Sequence, residues 1–119
     1  MISNLHRFHG RSSLKFVYKH GKTTRGPHFS VKSSLNPKRK SYRVAIVVSR
    51  KVHKSAVARN RMRRRLYEAV RAQEKNIVEP HDIVITVFQD SLLEETPGNL
   101  ARQLKKQLGE AGVLVKRIT

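Results

Sequence analysis

The sequence predicts a single mixed domain of helices and strands, α/β in class. Runs of β-branched residues, typical of strands, alternate with segments in which apolar residues recur every three or four positions, as in amphipathic helices. The chain has 119 residues, a length that suits one domain over residues 1–119. It contains no cysteine, which excludes disulfide bonds, thiolate metal sites and a cysteine nucleophile.

The first half of the chain is predicted to contain one helix and two strands. Residues 1–11 show no periodicity and are expected to form a loosely ordered basic arm. Ser12 or Ser13 can cap a helix that ends at Gly21, a residue suited to a left-handed position after a helix. The segment 28–34 alternates apolar and polar residues, as an amphipathic strand does, and the β-branched run 42–49 predicts a buried central strand.

The second half is predicted to contain two helices and one strand. Ser55 can cap a long helix that extends to about Gln73, with an apolar stripe along one side. A second β-branched run over 83–88 predicts another central strand, and Thr96 followed by Pro97 can start a last helix. Residues 113–119 are expected to be an edge strand or a tail. The pattern alone therefore gives the order α, β, β, α, β, α.

Positive charge dominates the composition. Lys and Arg number 26 against 8 Asp and Glu, a formal net charge of +18, and every acidic residue lies at or after Glu68. A compact domain with this charge repels itself, so the expected partner is a polyanion, above all a nucleic acid. A disordered basic tail on a small acidic domain is the alternative, but the apolar periodicity of the first half opposes it. No apolar run approaches the ~20 residues that span a bilayer, and we expect a cytoplasmic protein without membrane contact.

The start of the long helix carries the densest basic segment. Eight of the sixteen residues in 50–65 are Lys or Arg, and none is acidic. On a helical wheel with Met62 toward the core, Asn60 and Arg64 lie on the far side. Unrelieved like charges cost ~0.2–0.5 kcal/mol per neighbouring pair, and the guanidinium fork suits phosphate. This helix is therefore predicted to bind a nucleic-acid backbone.

The segment Lys54–Arg64 resembles a signature of the protein subunit of bacterial ribonuclease P, in which Arg-Asn-Arg is followed by further basic residues. The resemblance extends over roughly residues 12–110. Two departures stand out, because Leu14 replaces an aromatic residue of many members and Tyr67 replaces a basic one. The other matching segments are Phe16–Gly21, Tyr42–Val44, Val48–Lys51 and Asp82–Val84.

The resemblance implies an α+β two-layer sandwich in which about three helices pack on a four-stranded mixed sheet. The implied order is αβββαβα, with a ribosomal-protein-like fold. It also implies a left-handed βαβ crossover that presents the basic helix. General topology rules favour the opposite hand, so this feature is expected on the resemblance alone.

The resemblance also implies a function in tRNA maturation. In this family the RNA subunit is the catalyst, and Mg²⁺ is held mainly by RNA. The protein binds that RNA and the 5′ leader of precursor tRNA, and so assists endonucleolytic removal of the leader. No obligate protein partner is expected. The implied contacts with the RNA subunit are Lys51, Lys54, Arg59, Asn60, Arg61, Arg63 and Arg64. The implied leader cleft contains Leu14, Tyr18, Phe29, Lys32 and Val47.

Other functions fit the sequence less well. A basic ribosomal protein that binds rRNA would share the size and charge. A reader of the DNA major groove usually has a dimerisation zipper or a helix-turn-helix, and neither pattern occurs. Hydrolysis by two metal ions needs grouped carboxylates, whereas residues 1–67 contain none. Six scattered histidines leave metal-free RNA cleavage as a minor alternative, and His6 with His9 would form only part of a zinc shell.

Overall fold

The computed structural model describes residues 11–77 and 79–114. The predicted arm before Arg11 and the last five residues lie outside this range. Val113 and Leu114 are not part of a strand, and no helix in the described ranges is long and apolar enough to cross a membrane. The helices and strands, in chain order, are α1 (Arg11–His20), β1 (Lys22–Arg25), β2 (Phe29–Leu35), β3 (Arg43–Val48), α2 (Ala56–Ala72), β4 (His81–Val87) and α3 (Pro97–Glu110).

The four strands form one mixed sheet in the order β1-β2-β4-β3. The β1–β2 and β2–β4 pairs are antiparallel, whereas β3 and β4 are parallel and are joined through α2. The α+β class, the mixed sheet, the three helices and the order αβββαβα are therefore confirmed. The left hand of the β3–α2–β4 crossover stays a prediction.

The first strand is the element that the sequence pattern did not locate. Only Thr24 is buried in β1, and its Oγ1 donates a hydrogen bond of 3.1 Å to the Gln107 carbonyl oxygen of α3. The exposed Lys22 and Arg25 remove the apolar alternation that marks an amphipathic strand. Charged side chains of this kind are typical of edge strands, which they protect from pairing with other chains.

One face of the sheet, the core face, packs against α2 and α3. Successive strand residues point to opposite faces, so alternate positions of β2, β3 and β4 supply this layer. The buried apolar side chains of the core face are Phe29, Val31, Val44, Ile46, Val48, Ile83, Ile85 and Val87, and those of the two helices are Met62, Leu66, Ala69, Val70, Leu100, Leu104 and Leu108.

The opposite face, the open face, is covered only in part. α1 packs mainly on β2 and β4, and its Val17 is fully buried, as is Val84 of β4. On β3, Ala45 and Val47 point to this face and are half-buried. Among the described residues, α1 is the helix that packs on this face, and it leaves part of the β3 side of the sheet in solvent.

The glycines that follow α1 and α3 serve different purposes. Gly112 has φ +78°, and the hydrogen bonds from Gly112 N to Gly109 O and from Val113 N to Leu108 O form a Schellman motif. The expectation that Gly21 adopts a left-handed conformation is wrong. Gly21 is required for another reason, because a Cβ there would lie 2.5 Å from the Val17 carbonyl oxygen.

A buried ion pair joins β3 and β4 at one end of the open face. Arg43 donates from Nε and Nη2 to the two carboxylate oxygens of Asp82, both at 2.8 Å. Asn36 Nδ2 donates a further hydrogen bond of 2.9 Å to Asp82. Because Arg43 and Asp82 are 8% and 4% exposed, solvent screens this pair little.

We expect Asp82→Asn to lower the free energy of unfolding by about 3–5 kcal/mol, because it removes the negative charge that faces the buried Arg43 guanidinium. Arg71→Gln is the control, since Arg71 and Glu68 form a pair 3.8 Å apart that is more than half exposed and should contribute less than about 1 kcal/mol. Urea unfolding of both variants measures the difference. Similar small losses would contradict a stabilising role for the buried pair.

Candidate nucleic-acid interface

The packing of α2 turns its basic side outward. Ser55 caps the helix, and its Oγ accepts a hydrogen bond of 3.3 Å from Ala58 N. Met62 and Leu66 are fully buried against the sheet, which leaves the other side of the helix in solvent. The exposed members of the predicted RNA-subunit site are Lys51, Lys54, Asn60, Arg61 and Arg64.

Two predicted site residues on α2 are half-buried and make local hydrogen bonds. Arg59 Nε donates to Ser55 O at 3.4 Å, and Arg63 donates to Asn60 Oδ1. The Arg63 contact fixes the orientation of the Asn60 side chain. The predicted cluster therefore contains four exposed cations and the exposed Asn60, together with two half-buried arginines that hydrogen-bond to neighbouring groups on the helix.

The loop between β3 and α2 extends the basic surface. It encloses an open depression of about 460 Å³, to which Lys51 and Lys54 belong. Asp90 is the acidic residue at its edge. The remaining residues around the depression are Arg50, Val52 and His53.

Arg65 has a structural role that the sequence did not reveal. Its Nη1 donates to the carbonyl oxygens of Leu92 at 2.7 Å and Leu93 at 3.0 Å, and its Nη2 donates to the Glu95 carbonyl oxygen. These bonds hold the short 3₁₀ helix Asp90–Glu94 against α2. Nothing in the composition of the segment 59–65 distinguishes this arginine from its neighbours.

His28, the residue before β2, contacts the same 3₁₀ helix and the residue that follows it. Its Nδ1 lies 2.9 Å from Ser91 Oγ, and its Nε2 lies 3.1 Å from Glu95 Oε2. The hydrogen bond with His28 holds the pKa of the Glu95 carboxyl below its usual value, with help from Asn99 and Gln103. The loop after β4 is thus fixed from two sides, by Arg65 and by His28.

Four of the five residues predicted for the leader cleft surround the open face. Tyr18 is 43% exposed, and Leu14 is half-buried one turn earlier on α1. Lys32 Nζ donates a hydrogen bond to the Tyr18 carbonyl oxygen and lies 5.9 Å from the centroid of its ring. Val47 lies across the sheet on the same face. The structure therefore brings an aromatic ring and a cation together on the sheet face that also carries Val47.

Phe29 does not belong to this cleft. It is fully buried on the core face, whereas Lys32, three positions later on β2, lies on the open face. Because successive strand residues point to opposite faces, the sequence alone was sufficient to show that Phe29 and Lys32 do not share a surface. Sequence reasoning also left out Ser30 and Thr86, which lie in register with Val47 on the open face.

An α+β fold with one open sheet face, beside a helix with an arginine-rich side, is typical of an RNA-binding protein. The family model described as Ribonuclease P matches residues 2–112. The chain belongs to the ribonuclease P protein family, whose members bind RNA and take part in tRNA processing.

Similar proteins agree with this assignment. The ribonuclease P protein component of a Pseudanabaena species is 34% identical over 116 residues, covering 96% of this chain and 97% of the relative. That of Bacillus velezensis is 32% identical over 93 residues, covering 76% and 78%. The Thermotoga maritima RNase P protein structure is 25% identical, with a TM-score of 0.76 over 87% of this chain and 96% of the other. The Staphylococcus aureus structure, 24% identical, shares the fold with a TM-score of 0.81 over 92% and 98%.

The adjacent Arg64 and Arg65 should respond differently to truncation. Arg65→Ala removes a charged donor from three carbonyl oxygens and should lower the free energy of unfolding by about 1.5–3 kcal/mol. Arg64→Ala removes an exposed side chain and should change it by less than about 0.5 kcal/mol. Urea unfolding of the two variants tests this, and equal values would remove the structural role assigned to Arg65.

Proposed function

We propose that this chain is the protein subunit of a ribonuclease P holoenzyme in which the RNA subunit performs the cleavage. The outward side of α2 docks on the RNA subunit, and the open face holds the 5′ leader of precursor tRNA. The observation that carries the proposal is the division of the molecule into two surfaces, an arginine-rich helix side and an aromatic cleft lined by a cation.

The α2 surface has the chemistry of a phosphate-backbone site. Arg61, Arg64, Lys51 and Lys54 are exposed, and cations outnumber the acidic side chains near them, which are Glu68 one turn after Arg64 and Asp90 beside Lys51 and Lys54. Each phosphate neutralised by such a cation releases condensed counterions, which makes the affinity strong and dependent on salt. Asn60 adds an amide held in place by Arg63, so the surface offers a polar contact as well as charge.

The open face has the chemistry of a single-strand site. Unpaired nucleotides bind through stacking on aromatic rings, at ~1–3 kcal/mol per base, together with a cationic groove. Tyr18 supplies the ring and Lys32 the cation, and the two lie side by side. Val47, Ser30 and Thr86 line the floor. This combination suits the leader, which is the part of precursor tRNA that mature tRNA lacks.

Magnesium is proposed to be held mainly by RNA. Within residues 11–77 and 79–114, no group of three or more His, Asp or Glu side chains could hold a metal ion. Asp82, the acid on the open face, already accepts hydrogen bonds from Arg43 and Asn36. These residues do not fit a Mg²⁺ site, so the contribution of the protein is to bind and orient RNA.

The proposal places the protein in the cytoplasm, where precursor tRNA is processed, without an obligate protein partner. A chain free of cysteine is compatible with a reducing compartment.

Reconstitution tests the division of labour. Purified protein alone should not cleave precursor tRNA at any Mg²⁺ concentration, because its basic half lacks carboxylates to position the ions. With a bacterial ribonuclease P RNA, it should restore cleavage at the mature 5′ end at low Mg²⁺, measured by gel analysis of single-turnover reactions. Robust cleavage by RNA-free protein would contradict the proposal.

Two substitutions should separate the two surfaces. Tyr18→Ala should weaken binding of precursor tRNA to the assembled holoenzyme by roughly 1–3 kcal/mol and leave mature tRNA affinity unchanged. Arg61→Ala should weaken assembly with the RNA subunit and therefore affect both substrates alike. Equilibrium binding of both tRNAs to each holoenzyme measures this, and circular dichroism controls for folding. A folded Tyr18→Ala protein with the wild-type ratio of affinities would remove the cleft assignment.

A further inference from the structure

The turn between β2 and β3 carries a cationic cluster that neither proposed RNA surface uses. Lys38, Arg39 and Lys40 follow one another and are all exposed. Among the residues that the structure describes, no carboxylate lies within ion-pair distance of them. We call these three residues the basic turn.

The backbone of the basic turn is held by several hydrogen bonds. Asn36 Oδ1 accepts from Lys38 N at 3.3 Å, and the Asn36 carbonyl oxygen accepts from Arg39 N at 3.1 Å. Asn36 is itself fixed, because its N donates to Pro80 O at 2.8 Å and its Nδ2 donates to the buried Asp82 at 2.9 Å. The three cations are therefore presented from a defined backbone, which lowers the entropy lost when they bind a ligand.

The basic turn lies at the opposite end of β3 from Lys51, Lys54 and the start of α2. The turn precedes β3, whereas the α2 cations follow it, and the six residues of β3 span about 20 Å. The open face connects the two ends with mostly small or polar side chains. Each row of the open face contains one residue from β2, one from β4 and one from β3. The row nearest the basic turn is Ser34, Asp82 and Arg43. The middle row is Lys32, Val84 and Ala45, and the row nearest the start of α2 is Ser30, Thr86 and Val47.

We infer that the basic turn binds backbone phosphates of the leader nucleotides farthest from the cleavage site. This inference rests on the proposed function. If α2 docks on the catalytic RNA, the leader enters the open face at the α2 end and leaves it at the other. A leader that passes Tyr18 and Lys32 and continues over the open face toward the end of β2 and the start of β3 then reaches Lys38, Arg39 and Lys40. Side chains without acidic partners are suited to the phosphates that arrive there.

The test uses the assembled holoenzyme and a triple variant, Lys38→Gln, Arg39→Gln and Lys40→Gln. Its control is Arg102→Gln, Lys105→Gln and Lys106→Gln, which neutralises one arginine and two lysines exposed on α3 and changes the net charge equally. Affinity is measured for mature tRNA and for precursors with leaders of about two and about ten nucleotides. Salt dependence is measured for the longer one.

The basic-turn variant should bind the long-leader precursor about tenfold more weakly, with a salt slope smaller by about 2, or ~0.7 for each lost phosphate contact on a single strand. Affinities for the short-leader precursor, mature tRNA and the RNA subunit should stay unchanged, as should all affinities of the control. Equal losses on every tRNA, weaker assembly with the RNA subunit, or no loss at all would overturn the inference. If the wild-type holoenzyme itself shows no preference for precursor over mature tRNA, the result contradicts the proposed leader cleft. The inference about the basic turn, which rests on that cleft, is then also wrong.

Discussion

The packing of α2 on the core face is the interaction on which the rest of the molecule depends. Burial of Met62 and Leu66 fixes the rotation of the helix about its axis, and each large buried side chain contributes about 1.5–3 kcal/mol. Repulsion between neighbouring cations costs about 0.2–0.5 kcal/mol per pair. The core therefore outweighs the repulsion, and Arg61 and Arg64 can face solvent on a helix side where cations outnumber acidic residues. The same helix is the crossover connection between the parallel strands β3 and β4.

The positive charge of the chain serves structure as well as recognition. Arg65 closes the loop after β4 onto α2 through three carbonyl oxygens, and Arg43 is buried in an ion pair with Asp82. Other exposed cations lie on β1 and α3, but those next to the open face lie on α2, beside Tyr18 and on the turn before β3. This distribution leaves the two ends of the open face basic, and its middle combines an aromatic ring with small polar side chains.

Local sequence signals were sufficient for most of the fold. The caps at Ser55 and Thr96 and the apolar stripes located the helices, because capping and periodicity are set by neighbouring residues. The sequence did not predict β1, because its residues lack apolar alternation and its buried Thr24 is held by a hydrogen bond to the distant α3. In the site, the alternation of β2 was enough to exclude Phe29. The structural role of Arg65 was not predictable, because its partners are main-chain atoms nearly thirty residues away.

The central claim is that one small protein carries two separate RNA surfaces, and site-specific photo-cross-linking tests it most directly. A benzophenone side chain is placed either at Tyr18 in the cleft or at Val57, which is 70% exposed in the first turn of α2. The assembled holoenzyme with labelled precursor tRNA is then irradiated, and the linked nucleotides are mapped. We expect position 18 to link to the leader and position 57 to the RNA subunit. Linkage of both positions to the same RNA segment would contradict the account.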